Sequence, residues 1–263
     1  MKERRIDEAR AAGIDVTMAQ YPYTAGSTFL HVVIPPWYHS RGVDGLLRAL
    51  REERGAIKHD LDTRMDWENF SQSVGWEKIF VSSVVSEANQ PCVGKSISQI
   101  AAERGHADPA DAAFDLLVEE QLAVGMISFG LDEADITAIM RHPAVSFITD
   151  GLMSGRPHPR AYATYPRILG RYVREQGVLS LEEAVRKMTS LPARKIRLRN
   201  KGVIAEGYDA DLVVFDPDTV IDKNSYDDPR VHPAGIAHVL VNGVFVVEDA
   251  ALTGARPGRV IRD

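Results

Sequence analysis

Between Ser96 and Ile148 the chain switches back and forth between two periodicities, and this constrains the fold more than any other feature. Ser96 and Gln99 form a capping-box pair ahead of Ile97, Ile100 and Ala101, and Gly105 ends that helix. Asp108 with Pro109 at the first helical position opens a second helix, through about Gln121. Val124–Phe129 is a short apolar run that suits a buried strand, Asp132–Met140 returns to helical spacing, and Ala144–Ile148 is apolar again. Helix, strand, helix and strand at this spacing predict a parallel sheet of βα units, an α/β fold.

The last of these strands runs into chemistry. FITDGLMSGRPHPR, residues 147–160, places Asp150 and then Gly151 at the strand's C-terminal mouth, where α/β folds carry catalytic groups. Further on, Pro157 and Pro159 flank His158 and leave little backbone freedom before Arg160, so acid, imidazole and guanidinium share one loop. The same residues admit a plainer reading, with Asp150 an Asx cap of the next turn and Arg160 a surface cation.

The remaining segments complete the outline. The first dozen residues read as the end of a helix that Gly13 stops, and the chain starts within that element. Asp15–Tyr21 reads as a strand with YPYTAGST as its exit loop, where Tyr21, Tyr23, Ser27 and Thr28 offer hydroxyls and Gly26 a tight turn. From about 29 to 95 the pattern loosens into an insertion, with a helix at Asp44–Arg54 and a strand at Lys78–Val85. His31, His39 and His59 lie there without the spacing of metal ligands. Thr164–Gln176 reads as a helix, and Ser180 with Glu183 caps another that runs to about Ser190. Past Lys201 and Gly202 come a strand at Ala210–Phe215 and two apolar runs around Asn242-Gly243, a type I′ hairpin signal. Residues 1–200 thus read as one domain and 201–263 as a small β module that packs or covers.

Composition narrows the function. A chain of 263 residues with 44% hydrophobic residues can bury a large core, and no run approaches the length of a membrane span. A net charge of −6 and a pI near 5.8 give no electrostatic case for nucleic acid or an anionic membrane as partner. Met1–Arg10 is too charged for a signal peptide, and the single Cys92 allows no internal disulfide, which suits a cytoplasmic protein.

With these stretches laid out, the chain resembles the C-terminal part of the N-acyl-D-amino-acid deacylases (D-aminoacylases), within the metal-dependent amidohydrolase superfamily. DVTMAQYPYTAGST, TDGLMSGRPHPRAYATYPRILGRYVRE, GVIAEGYDADLVVFDPDTV and HVLVNGVFVVEDAALTGARPGRVIR carry the resemblance. It implies a (β/α)₈ barrel followed by a β-sandwich-like module. Asp150 matches the aspartate at the end of the eighth strand, which faces the zinc centre, takes a proton from metal-bound water and returns it to the departing amine. Tyr21, Ser27 and Arg160 match residues that hold the α-carboxylate of the N-acyl-D-amino acid, and a planar guanidinium suits that task.

The departures are as informative. The family's His-x-His pair, bridging cysteine and two later metal histidines have no counterpart within residues 1–263. Cys92 matches no ligand and reads as a buried thiol. Asp150 is then a weak metal ligand by itself, so zinc is expected in the complete enzyme and not as a stable cofactor of this chain. A partial barrel leaves sheet edges open, which points to self-association or a missing N-terminal half as partner. Three functions stay open: metal-dependent deacylation of N-acyl-D-amino acids, an amidohydrolase of a different amide, and a non-catalytic fragment or split-enzyme half that binds another chain.

Overall fold

A computed structural model describes residues 2–261. In chain order it contains α1 (Lys2–Ala11), β1 (Met18–Gln20), β2 (Gly26–Phe29), α2 (Pro36–His39), α3 (Gly42–Glu52), α4 (Arg54–Thr63), α5 (Phe70–Ser73), β3 (Ile79–Ser83), α6 (Ile97–Arg104), α7 (Pro109–Glu119), β4 (Gly125–Ser128), α8 (Glu133–Arg141) and β5 (Val145–Phe147). Then follow α9 (Arg160–Arg167), a wider helical stretch Ile168–Glu175, α10 (Leu181–Met188), α11 (Ser190–Lys195), β6 (Leu212–Phe215), β7 (Ile236–Val241), β8 (Val244–Glu248) and β9 (Ala251–Leu252). These elements gather into two compact units: 1–22 with 134–150 and 159–263, and 23–133 with 151–158.

In the first unit β1 and β5 pair in parallel, Met18 opposite Val145 and Gln20 opposite Phe147. Val145, Phe147, Met140, Ile168, Tyr172 and Val220 build its core. Helix α8 presents Ile136 and Met140 to that core, four residues apart on one face. Lys187 closes the helix's far end. Its ammonium is fully buried and donates to the carbonyls of Met140 (2.9 Å) and His142, which a helix C-terminus leaves unsatisfied. The tail is a single antiparallel sheet in the order β6-β7-β8-β9. Its β7–β8 turn holds Asn242 at φ 49° and Gly243 at φ 78°, the two left-handed residues that a type I′ turn requires.

In the second unit β4 is the centre of an antiparallel sheet ordered β2-β4-β3. Leu50, Ile57, Ile79, Phe114 and Met126 are among the core residues around it. The capping box at the start of α6 is present in full, and Gly105 ends that helix at φ 76°.

Two expectations need correction. The strand at 124–129 does not continue a parallel βα sheet with β5, because β4 runs antiparallel to both its neighbours. A run buried on both sides suits the middle of either kind of sheet, so periodicity leaves strand direction open. One of those neighbours, β2, begins within YPYTAGST, which reads as a loop in sequence; Ser27 and Thr28 pair there with Ile127 and Met126.

Candidate active site

Arg160 is the first residue of α9 and not part of a loop, since the helix starts four residues before the expected Thr164. Nor is it a surface cation: only 1% of the residue is exposed, and a buried guanidinium needs partners. Its Nη2 lies 2.9 Å from Oδ2 of Asp150. Asp150 has a left-handed backbone at φ 46°, a conformation that Asp tolerates better than most residues. Its side chain remains 57% exposed while that of Arg160 is buried. The cation is therefore fixed and the anion faces water.

Tyr21 supplies the other surface of this arginine. It lies one residue beyond β1, as Asp150 lies shortly beyond β5, so the parallel pairing brings the two strand exits side by side. The guanidinium carbon of Arg160 sits 4.4 Å from the centre of the Tyr21 ring, within cation–π range. Burial pushes the Tyr21 phenol above its ordinary pKa. The Arg160 charge and hydrogen bond pull it back, and the Asp150 charge raises it further. The phenol is thus a neutral hydrogen-bonding group near neutral pH.

A second layer holds these residues. Arg167 donates through Nε to the carbonyl of Pro22 (2.9 Å), next to Tyr21, and pairs through Nη1 with Asp222 (2.7 Å). The Tyr172 hydroxyl donates to the same carbonyl at 3.4 Å. Asn224 donates to the carbonyl of Pro159 at 3.0 Å, next to Arg160. Arg167 and Tyr172 stand within the AYATYPRILGRYVRE run; Asp222 and Asn224 carry no signal in the sequence.

Ser27, His158 and Cys92 belong to the second unit. Ser27 is on β2 in the second unit. His158 is fully buried in that unit, its Nε2 3.0 Å from the carbonyl of Ala25 and its ring edge-on to Tyr23. Cys92 is buried, with its Sγ 3.8 Å from Nη2 of Arg104. Among the described residues no three His, Cys, Asp or Glu side chains come together as metal ligands. Asp150, the family-implied ligand, turns one of its oxygens to Arg160.

An acid and an aromatic hydroxyl at two strand exits, with a buried guanidinium between them, fit an amidohydrolase scaffold, and residues 90–247 match the model of that family (Amidohydro_3). The chain belongs to the amidohydrolase family.

Among amidohydrolases it is similar to an N-acyl-D-glutamate deacylase of Alcaligenes xylosoxydans xylosoxydans, with 39% identity over 98% of this chain and 43% of that protein. A D-aminoacylase of the same organism is 36% identical over 97% of this chain and 43% of its own length. The crystal structure of N-acyl-D-glutamate deacylase from Bordetella bronchiseptica, complexed with zinc and a phosphonate mimic of the tetrahedral intermediate, matches with a TM-score of 0.75 and 34% identity. That match covers 99% of this chain and 45% of the solved one. The chain spans less than half the length of the curated relatives it matches. Among the described residues no helix is long and apolar enough to cross a membrane.

Proposed function

We propose that this chain contributes the carboxylate-binding and proton-handling side chains of an N-acyl-D-amino-acid deacylase, which hydrolyses the amide to a carboxylate and a free D-amino acid. The observation that carries the reading is the buried Arg160, held between Tyr21 and the exposed Asp150. A guanidinium that can offer two parallel N–H groups is matched to an α-carboxylate, and the Tyr21 hydroxyl can fix its tilt. Asp150 now takes the place that a ligand carboxylate would need on Nη2. Its release costs little, because it is already more than half in water. Once released, its carboxylate is the base that accepts a proton from the attacking water and returns it to the leaving amine.

On this reading the βα elements of the first unit belong to a (β/α)₈ barrel, and Asp150 is the residue here that matches a ligand position of the deacylase's zinc, which needs further ligands from a partner. A chain that works joined to a partner is favoured by the tail sheet, where Val213, Val214, Val244 and Phe245 are exposed on its strands. Mixing this chain with the N-terminal half of a D-aminoacylase and zinc tests the proposal. Amine release from N-acetyl-D-glutamate and other N-acetyl-D-amino acids, absent with the L-forms and lost with Asp150→Asn, is the expected result. A mixture that stays fully active with Asp150→Asn would make that carboxylate structural.

A further inference from the structure

Asp222 and Asn224 belong to the connection between β6 and β7, far in sequence from either half of the carboxylate site. Yet the stretch from Pro217 to Asn224 lies strapped along the helical segment that follows Arg160. Arg174 donates to the carbonyls of Val220 (2.6 Å) and Pro217 (3.1 Å). Gly170 is pressed so closely on the strap that a Cβ there would meet the Val220 carbonyl at 2.6 Å. Val220 itself is 1% exposed.

Beyond that anchored part, two side chains reach the site. Asp222 pairs with Arg167, whose Nε in turn holds the carbonyl of Pro22. Asn224 donates to the carbonyls of both Pro159 and Pro229, at 3.0 Å each. The peptide next to Tyr21 and the peptide next to Arg160 are therefore fastened to one short strap, two residues apart.

We propose that Asp222 and Asn224 are positioning residues, and that their strap sets the spacing of the Arg160 guanidinium over the Tyr21 ring and hence the grip on a carboxylate. The inference rests on the reading of Arg160 as a carboxylate site, although the spacing itself can be measured without any ligand. The physical argument is one of tolerance: a bidentate clamp loses much of its strength when its parts shift by about 1 Å. Neither Asp222 nor Asn224 needs to touch the ligand to matter.

Two measurements test this on the chain as it is. The Arg160 Nε–H and the Tyr21 ring resonances report their mutual distance by NMR, because a ring current falls off steeply. Binding of N-acetyl-D-glutamate reports the grip. Asp222→Ala is expected to shift both resonances and weaken binding by about tenfold. Asp222→Asn, which keeps an acceptor oxygen for Arg167, should recover most of the loss. Arg174→Gln loosens the strap at its far end only, and should lower the melting temperature while leaving the resonances and the affinity in place.

Unmoved resonances in a folded Asp222→Ala protein, or equal shifts in Arg174→Gln, would overturn the proposal. If the resonances move as expected while neither the wild type nor Arg160→Lys binds the probe, the strap stands and the carboxylate reading falls.

Discussion

Asp150 and Arg160 form an ion pair of unequal partners: the guanidinium is buried to 1% exposure and the carboxylate, 2.9 Å away, is 57% exposed. A carboxylate ligand at Arg160 must compete with an acid already in place. Asp150→Asn removes that competitor's charge and keeps its shape. Binding of N-acetyl-D-glutamate to this chain, followed by calorimetry, should tighten by about fivefold or more. Unchanged or weaker binding would show that the two carboxylates do not share a place.

Arg160→Lys tests the fork itself. A lysine supplies charge without the planar pair of N–H groups and leaves Asp150 and the Tyr21 ring without their shared partner. The expected cost in carboxylate binding, or in kcat/KM of the reconstituted enzyme, is about 2–4 kcal/mol. Equal activity in the variant would remove Arg160 from the site.

Glu120 sets an acid limit on the second unit. It is 4% exposed, and burial opposes its charge. Bonds from the Ser86 hydroxyl, the Asn89 amide (2.7 Å) and the backbone N–H groups of Ser86 (3.0 Å) and Val85 (2.6 Å) outweigh that cost and hold its pKa down at about 2. Because the folded value lies below the unfolded one, the stabilisation is complete above pH ~4.5 and drains away as the pH falls towards ~2. Its size is on the order of 3 kcal/mol. Glu120→Gln should therefore lower the melting temperature at pH 7 and flatten its dependence on pH between ~5 and ~2. A variant with the wild-type acid profile would exclude this carboxylate as the cause.

The tail sheet offers a fourth test. Val213 and Val214 are adjacent on β6, so they point to opposite faces, and each is at least half exposed. Uncovered apolar strands bind dyes and one another. The isolated chain should enhance the fluorescence of a hydrophobic dye and sediment partly as oligomers, and Val213→Lys with Val214→Thr should reduce both effects. A monodisperse monomer without dye binding would show that these side chains need no cover.

Local chemistry made much of this protein legible in its sequence. The capping box at Ser96 and Gln99, the Pro109 start of α7, the Gly105 stop and the Asn242-Gly243 turn are each decided by a few neighbouring residues, and each appears in the structure where the sequence places it. Asp150 and Arg160 could be singled out for the same reason: charge beside a strand end and beside rigid prolines is a local pattern. Long-range pairing is another matter. An apolar run such as 125–128 carries no mark of its neighbours, so only the tertiary structure set β4 between β2 and β3 and β5 beside β1. The helix begins at Arg160, and only the tertiary structure lays the Tyr21 ring, from the far-off exit of β1, against that arginine. Asp222 and Asn224 acquired a role only through contacts with peptides far away in the chain, and contacts of that kind leave no periodicity, cap or turn signal behind.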